Sequence, residues 1–346
     1  MGSTGLQPQP ESAPDAAGRF LTFIVPASNG CNLKCPFCLV RQRREVAETC
    51  LQPRDLTRFI REANERGPIF ALAIQGFEPL LLESLPYTQA ILATGRFLGL
   101  QTSLVTNGTK LFDSVDLLKT LSPTKIAISL DADSAEVHDD IRGVPGAWKA
   151  TINGVKRALA TLAPVTRLVV ASVLLPSRRH YLDSMPARLR ELGVDRWIVN
   201  PLLRVGSDGN GGPVGDRGSL YRDLLILQET ADRVGIALTV DDEFGNLRHD
   251  AAKVSQPSLG ALNVRTLPRN VEIFLRLTPS GRCSTGQDIL KQVTADTPRW
   301  RPGDIHAGDF QINRYSRLPD RLRRASCRSA GAPRPAVVHL APVHFC

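Results

Sequence analysis

The stretch 30–38 reads Gly30-Cys31-Asn32-Leu33-Lys34-Cys35-Pro36-Phe37-Cys38 and places three of the chain's seven cysteines within eight residues. It follows an apolar run at 20–25, so the three thiols lie on one short loop after a predicted strand. Three thiolates gathered in this way can hold a metal centre. Because a [4Fe-4S] cluster usually takes four cysteines, three would leave one iron open to a small ligand.

Two other interpretations of these cysteines stay open. Positions 31, 35 and 38 have helical spacing and could form one buried face of a helix, although Gly30 and Pro36 oppose a continuous helix. The pair Cys35 and Cys38 also has the spacing of a zinc knuckle, which needs a second close pair of Cys or His. The sequence offers no such pair downstream, and we therefore favour the cluster.

Composition limits the class of protein. With 346 residues, 42% hydrophobic and 22% charged, the chain can fold as one barrel-sized domain with an extension. An odd number of irregularly spaced cysteines indicates a reducing compartment, and no apolar run suggests a membrane span, so we expect a cytoplasmic protein. The formal charge of +9 would suit an acidic electron donor such as a flavodoxin or ferredoxin, or an anionic substrate. Without interleaved aromatic and basic residues, it does not indicate nucleic acid binding.

The order of predicted elements indicates an α/β fold. Residues 1–17 are rich in Gly, Ser, Pro, Gln and Ala and predict a disordered leader. From 18 to 205, buried strands and amphipathic helices alternate six times, which predicts parallel βαβ units and a partial, TIM-like (β/α)6 barrel. Residues 206–346 predict an irregular C-terminal extension that begins with a Gly-rich loop at 206–218, either a cover for the barrel mouth or a plain linker. Within it we expect a helix near 219–234, a short strand near 236–241 and a strand at 271–277.

Polar residues and glycines follow the predicted strands one after another. In α/β barrels the functional groups gather at the C-terminal ends of the strands. Each of these signals alone could be a turn, but together they predict a cofactor site on one rim. The candidates are Gly76, Phe77, Glu78, Pro79, Thr106, Asn107, Ser129, Asp131, Ser172 and Asn200.

The spacing Cys-x3-Cys-x2-Cys, with Phe37 before the last cysteine, resembles the signature of the radical S-adenosylmethionine (radical SAM) superfamily. The resemblance implies that Cys31, Cys35 and Cys38 ligate a [4Fe-4S] cluster, and that SAM fills the open iron site. One electron from the cluster would then cleave SAM to a 5′-deoxyadenosyl radical.

Four further segments resemble elements of the same family. Gly76-Phe77-Glu78-Pro79 is similar to its Gly-Gly-Glu-Pro motif, which engages the SAM amino group, with Phe77 in place of the second glycine. Thr106-Asn107-Gly108 resembles its strand-three motif, and Ser129-Leu130-Asp131 resembles the strand-four motif that approaches the ribose. His138-Asp139-Asp140-Ile141-Arg142-Gly143 resembles a segment of peptide-modifying members, in which Arg142 would pair with the SAM carboxylate. A helix-start turn at 76–79 and a surface arginine at 142 are the structural alternatives.

Beyond about residue 200 the resemblance weakens. The segment 277–283 is similar to the start of a SPASM or twitch extension, but Cys283, Cys327 and Cys346 lack the dense spacing of an auxiliary cluster. The resemblance implies an enzyme that abstracts hydrogen from a peptide or small metabolite in a biosynthetic or maturation pathway. The alternatives are an RNA-modifying member and a non-catalytic iron–sulfur or zinc protein.

Overall fold

The computed structural model describes residues 20–25, 30–38, 52–66, 71–176, 178–205, 211–213, 216–242, 264–266, 272–277 and 283–284. The predicted leader at 1–17, Cys327 and Cys346 lie outside these residues, as does most of the predicted extension. The division into leader, core and extension therefore stays a prediction.

Six strands alternate with helices through the first two thirds of the chain, as the sequence predicts. Between the fourth and fifth strands there are two helices instead of one. The elements are β1 (Phe20–Val25), α1 (Pro53–Arg66), β2 (Ala71–Ile74), α2 (Leu85–Phe97), β3 (Gln101–Thr106), α3 (Leu111–Leu121), β4 (Lys125–Ser129), α4 (Ala135–Arg142), α5 (Ala147–Leu162), β5 (Arg167–Leu174), α6 (Met185–Leu192) and β6 (Arg196–Pro201).

The six strands lie in chain order in one sheet, and each pairs in parallel with the next. Because crossovers between parallel strands return each new strand to the same edge, the C-terminal ends of all six share one rim. The predicted α/β fold of the partial TIM-like type is confirmed.

Later segments extend this sheet at both edges. The sequence predicts a helix and strands here, but not that the strands join the sheet. After a small hairpin of β7 (Leu203–Val205) and β8 (Gly211–Pro213), α7 (Arg217–Val234) leads to β9 (Ala237–Asp242), which pairs in parallel with β6. β10 (Val264–Thr266) continues that edge. At the opposite edge, β11 (Glu272–Leu277) pairs in parallel with β1, and β12 (Cys283–Ser284) pairs with β11.

The two faces of the sheet belong to different hydrophobic clusters. Toward the helices, Leu72, Ile128 and Trp197 belong to the main hydrophobic core. On the other face, Ala171 packs with Val169 and Ile198 in a separate small cluster. Alternation along a strand places every second residue on this inner face.

One helix was missed in the sequence. Residues 135–142 form α4, whose N-cap Ser134 accepts a hydrogen bond from the Val137 N–H and whose C-cap Gly143 adopts a left-handed conformation with φ 70°. In the part of the chain that the structure describes, no helix has the length and apolar character needed to cross a membrane.

Candidate metal centre and cofactor site

Two neighbouring segments hold the cysteine loop at the rim of the sheet. The carbonyl of Gly30 accepts a hydrogen bond from the Glu78 N–H at 2.9 Å, which joins the loop to the segment after β2. The Lys34 N–H donates to the carbonyl of Arg142 at 2.9 Å, which joins it to the end of α4. The motifs at 76–79 and 138–143 are thus in direct contact with the cysteines.

The three thiols lie together against a small apolar cluster formed by Leu33 and Ala147. Cys35 is buried, whereas Cys31 and Cys38 are partly exposed. N–H groups face two of the sulfur atoms. Leu33 N and Asn107 Nδ2 lie 3.5 and 3.8 Å from the Cys31 Sγ, and Arg142 Nη1 lies 3.8 Å from the Cys35 Sγ. Such donors stabilise the negative charge of cluster-bound thiolates.

Burial governs the protonation of two of these thiols. It raises the pKa of Cys31 to about 11, and it raises the pKa of Cys35 although Arg142 opposes the shift. The free thiols of Cys31 and Cys35 therefore keep their protons at neutral pH, and a metal centre must displace these protons on binding.

Within the described residues no three Cys, His, Asp or Glu side chains converge as ligands of one metal ion. In a cluster each cysteine ligates a different iron, so this finding does not bear on the [4Fe-4S] assignment. The shared loop and the N–H donors fit such a cluster.

Glu78 connects the segment after β2 to the end of β3. Its Oε1 accepts hydrogen bonds from Leu80 N at 3.0 Å and Thr106 Oγ1 at 2.6 Å, and its Oε2 accepts from Asn107 N at 2.7 Å. Burial raises its pKa to about 7 despite these donors. The carboxylate fixes two rim segments beside the cysteines, and a contact with the SAM amino group stays a prediction.

The substitution at Phe77 does not disturb this turn. Gly76 has φ 117°, which a side chain would disfavour, whereas the one non-glycine residue with positive φ in the described part of the chain is Ser122. Phe77 therefore adopts an ordinary backbone conformation, and the structure does not require the usual second glycine there. Pro79 is buried and its carbonyl accepts from Thr88 Oγ1 at 2.7 Å.

Asn107 lies in a polar cluster that the sequence did not indicate. Its Nδ2 donates to Asn32 Oδ1 at 2.9 Å as well as facing the Cys31 sulfur, and its Oδ1 accepts from the Thr109 hydroxyl at 2.7 Å. Asn32 Nδ2 in turn donates to that hydroxyl at 2.9 Å. The position of Asn32, a polar side chain between Cys31 and Cys35, was the one sequence signal that could have indicated this cluster.

A buried ion pair lies behind Cys35. Asp131 Oδ2 and Arg142 Nε are 2.5 Å apart, and their side chains are 0% and 2% exposed. Burial opposes the charge of Arg142, but the Asp131 carboxylate and Cys35 outweigh it and raise the pKa of the guanidinium. The two residues predicted to contact the SAM ribose and carboxylate are therefore paired with each other in this structure.

His138 completes this arrangement. Its Nδ1 accepts from the Asp131 N–H at 3.2 Å, and burial lowers its pKa to about 4. It is therefore neutral at physiological pH. The family resemblance includes His138 in the motif at 138–143 but implies no role for it.

The remaining predicted residues divide between the two faces of the sheet. Ser129 is buried at the end of β4. Ser172 faces the helices, where its hydroxyl donates to the Leu130 carbonyl and accepts from Trp197 Nε1 at 2.9 Å. This placement favours a structural role over the predicted cofactor contact. Asn200 is on the inner face beside Ile198, 9% exposed, and its Nδ2 has no hydrogen-bond partner among the described residues.

Comparison with known proteins gives the class of domain that this fold and site define. Residues 25–185 match the sequence model of the Radical SAM superfamily. This part of the chain is therefore similar to the radical SAM superfamily, whose characteristic cofactors are a [4Fe-4S] cluster and SAM.

Individual relatives are more distant. Over 129 residues the chain is 35% identical to the AdoMet-dependent heme synthase of Methanosarcina barkeri. The aligned region covers 37% of this chain and 36% of that protein. Over 152 residues it is 28% identical to a probable GTP 3′,8-cyclase of Thermococcus kodakarensis, covering 44% and 48%. The chain thus spans less than half the length of these curated relatives.

A solved structure supports the fold. Streptococcus suis SuiB, bound to its precursor peptide SuiA, superposes with a TM-score of 0.61 over 82% of this chain and 62% of SuiB. Sequence identity is 14%, so the likeness concerns the fold alone.

Proposed function

We propose that this protein is a radical SAM enzyme that uses Cys31, Cys35 and Cys38 to hold a [4Fe-4S] cluster. The observation that carries the proposal is the attachment of the cysteine loop to two other motif segments. Gly30 is bonded to Glu78 and Lys34 to Arg142, so three motifs far apart in sequence meet at one rim.

When bound, the cluster and SAM supply a one-electron cleavage that yields a 5′-deoxyadenosyl radical. The chain's own residues bind, orient and shield this chemistry. The three thiolates leave one iron free, Glu78 fixes the rim segments on one side of the cysteine loop, and α4 fixes the other side. Ala171 and Asn200 lie on the inner face of the sheet, on β5 and β6.

The proposed substrate is a peptide or a small metabolite from which the radical abstracts hydrogen in a biosynthetic or maturation pathway. The complex of SuiB with a precursor peptide supports a peptide, through likeness of fold. The names of the heme synthase and GTP cyclase relatives support a small metabolite, through identity confined to less than half of each protein. The formal charge of +9 supports an acidic electron donor such as a flavodoxin or ferredoxin.

Anaerobic reconstitution with iron and sulfide tests the proposal. The protein should turn brown and, with dithionite and SAM, release 5′-deoxyadenosine. Cys35→Ala should abolish both the colour and the cleavage, whereas Cys50→Ala, at a cysteine outside the motif, should keep both. Tight binding of zinc without a brown product, or full cleavage by Cys35→Ala, would refute the assignment.

A further inference from the structure

The Asp131–Arg142 pair occupies an unusual position for two charged residues. Both side chains are almost completely buried, and the guanidinium reaches past the carboxylate to the Cys35 sulfur through Nη1, at 3.8 Å. Arg142 also lies over the ring of Phe37, with 5.7 Å from Cζ to the ring centre. Both an N–H group and the face of the guanidinium are therefore directed at the cysteine loop.

The main chain of Arg142 holds the same loop. Its carbonyl accepts the Lys34 N–H at 2.9 Å and lies 3.9 Å from the Cys35 sulfur. One residue thus fixes both the backbone before Cys35 and the position of its thiol.

Asp131 is fixed in turn by the sheet. Its Oδ1 accepts the Val173 N–H of β5 at 2.9 Å, and its own N–H donates to His138. The carboxylate is therefore held in place independently of Arg142. A fixed carboxylate next to a buried guanidinium sets the position and partly offsets the charge of the cation beside the sulfur.

We propose that Arg142 is a positioning residue that raises the reduction potential of the cluster through Cys35, and that Asp131 moderates this effect. The inference rests on the proposed function, since it requires a cluster on Cys31, Cys35 and Cys38. Reduction adds one electron to the cluster, which a fixed positive charge at the sulfur favours and a nearby negative charge disfavours. Removing the charge of Arg142 should therefore lower the reduction potential, and removing the charge of Asp131 should raise it.

The test is an EPR-monitored redox titration of the reconstituted full-length protein without SAM. Arg142→Met should make reduction at least tenfold less favourable, a shift of 59 mV to lower potential for one electron. Asp131→Asn should shift the potential upward. Arg142→Lys keeps the charge and should restore part of the loss.

Arg157→Met is the matched control, because it removes an arginine from an ion pair with Asp116 that is largely exposed and on other helices. Its potential should equal that of the wild type. If Arg142→Met holds too little iron for titration, the other two variants still test the inference. The potential of Asp131→Asn should lie above that of the wild type, and the potential of Arg142→Lys should lie below it.

Three outcomes would overturn the inference. Potentials of Asp131→Asn and the Arg142 variants that equal the wild-type value would remove the electrostatic role. Shifts in the same direction for both residues would indicate a general disturbance of the loop. Unchanged potentials together with weakened SAM binding in Arg142→Lys would indicate that Arg142 binds the SAM carboxylate instead. A wild-type protein that takes up no cluster would instead refute the proposed function itself.

Discussion

Replacing Gly143 with alanine tests whether the end of α4 shapes the cysteine loop. Gly143 has φ +70°, and a Cβ there would lie 2.9 Å from the carbonyl oxygen of Lys34 and 3.0 Å from its Cβ. The left-handed conformation costs a non-glycine residue about 1–2 kcal/mol, and overpacking adds about 1–3 kcal/mol unless the loop moves. The loop is the part that can move, and Cys35 follows Lys34 directly.

Gly193 provides the matched control. It also ends a helix in the left-handed conformation, with φ +83°, but a Cβ there meets no atom within 4 Å. Gly193→Ala should therefore lose only the conformational contribution of about 1–2 kcal/mol. Gly143→Ala should lose more stability, or keep it by displacing the loop and binding less cluster.

Two measurements on both variants decide between these cases. Urea denaturation of the cluster-free proteins gives the free energy of unfolding, and iron and sulfide per chain after reconstitution give the cluster content. Gly193→Ala should bind a full cluster, whereas Gly143→Ala should bind less iron. Equal stability losses together with equal iron content in the two variants would refute the reasoning that α4 packs tightly on the loop.

Three further predictions concern buried polar groups. Ser172→Ala should cost about 1–3 kcal/mol of unfolding free energy, because it leaves Trp197 Nε1 without its acceptor, while SAM affinity in equilibrium binding stays unchanged; a lost affinity would place Ser172 at the cofactor after all. Asn200→Ala should leave thermal stability unchanged or higher, since the buried amide N–H has no partner in the described residues, but should weaken SAM or substrate binding; unchanged binding of both would contradict the ligand role. The pKa of Glu78 rises from 4.5 to about 7 on folding, so stability falls by about 3 kcal/mol as pH rises through that window. The pKa of His138 falls from 6.5 to about 4, so stability rises by a similar amount as pH rises through its window. In urea titrations of the cluster-free protein between pH 4.5 and 6.5, Glu78→Gln should therefore gain stability with rising pH and His138→Gln should lose it; equal slopes would disprove the assignment.

The regular elements of the core were predictable because their apolar patterns are strong. β1 begins and ends where the sequence predicts its apolar run, at Phe20–Val25. α4 was missed because its eight residues are mostly polar and cover only about two turns, too short a stretch for a clear apolar periodicity. Its ends are marked by Ser134 and Gly143, and these capping signals could have identified it.

Which way each strand-end side chain points was not predictable. β5 and β6 are buried on both faces, so their sequences show no alternation that would assign Ser172 to the helix side and Asn200 to the inner side. The pairing of Asp131 with Arg142 likewise depends on how α4 returns to the sheet. Motif residues could be located in the sequence, but their hydrogen-bond partners could not.

The pairing of β11 with β1 has a consequence for the order in which this protein is made. The strand that leads into the cysteine loop acquires its neighbour on one side only after residue 272 has left the ribosome, although β2 follows within some fifty residues. Until then β1 presents an open edge, which invites pairing with other chains. Nascent or truncated chains that stop before 272 should therefore be prone to aggregate.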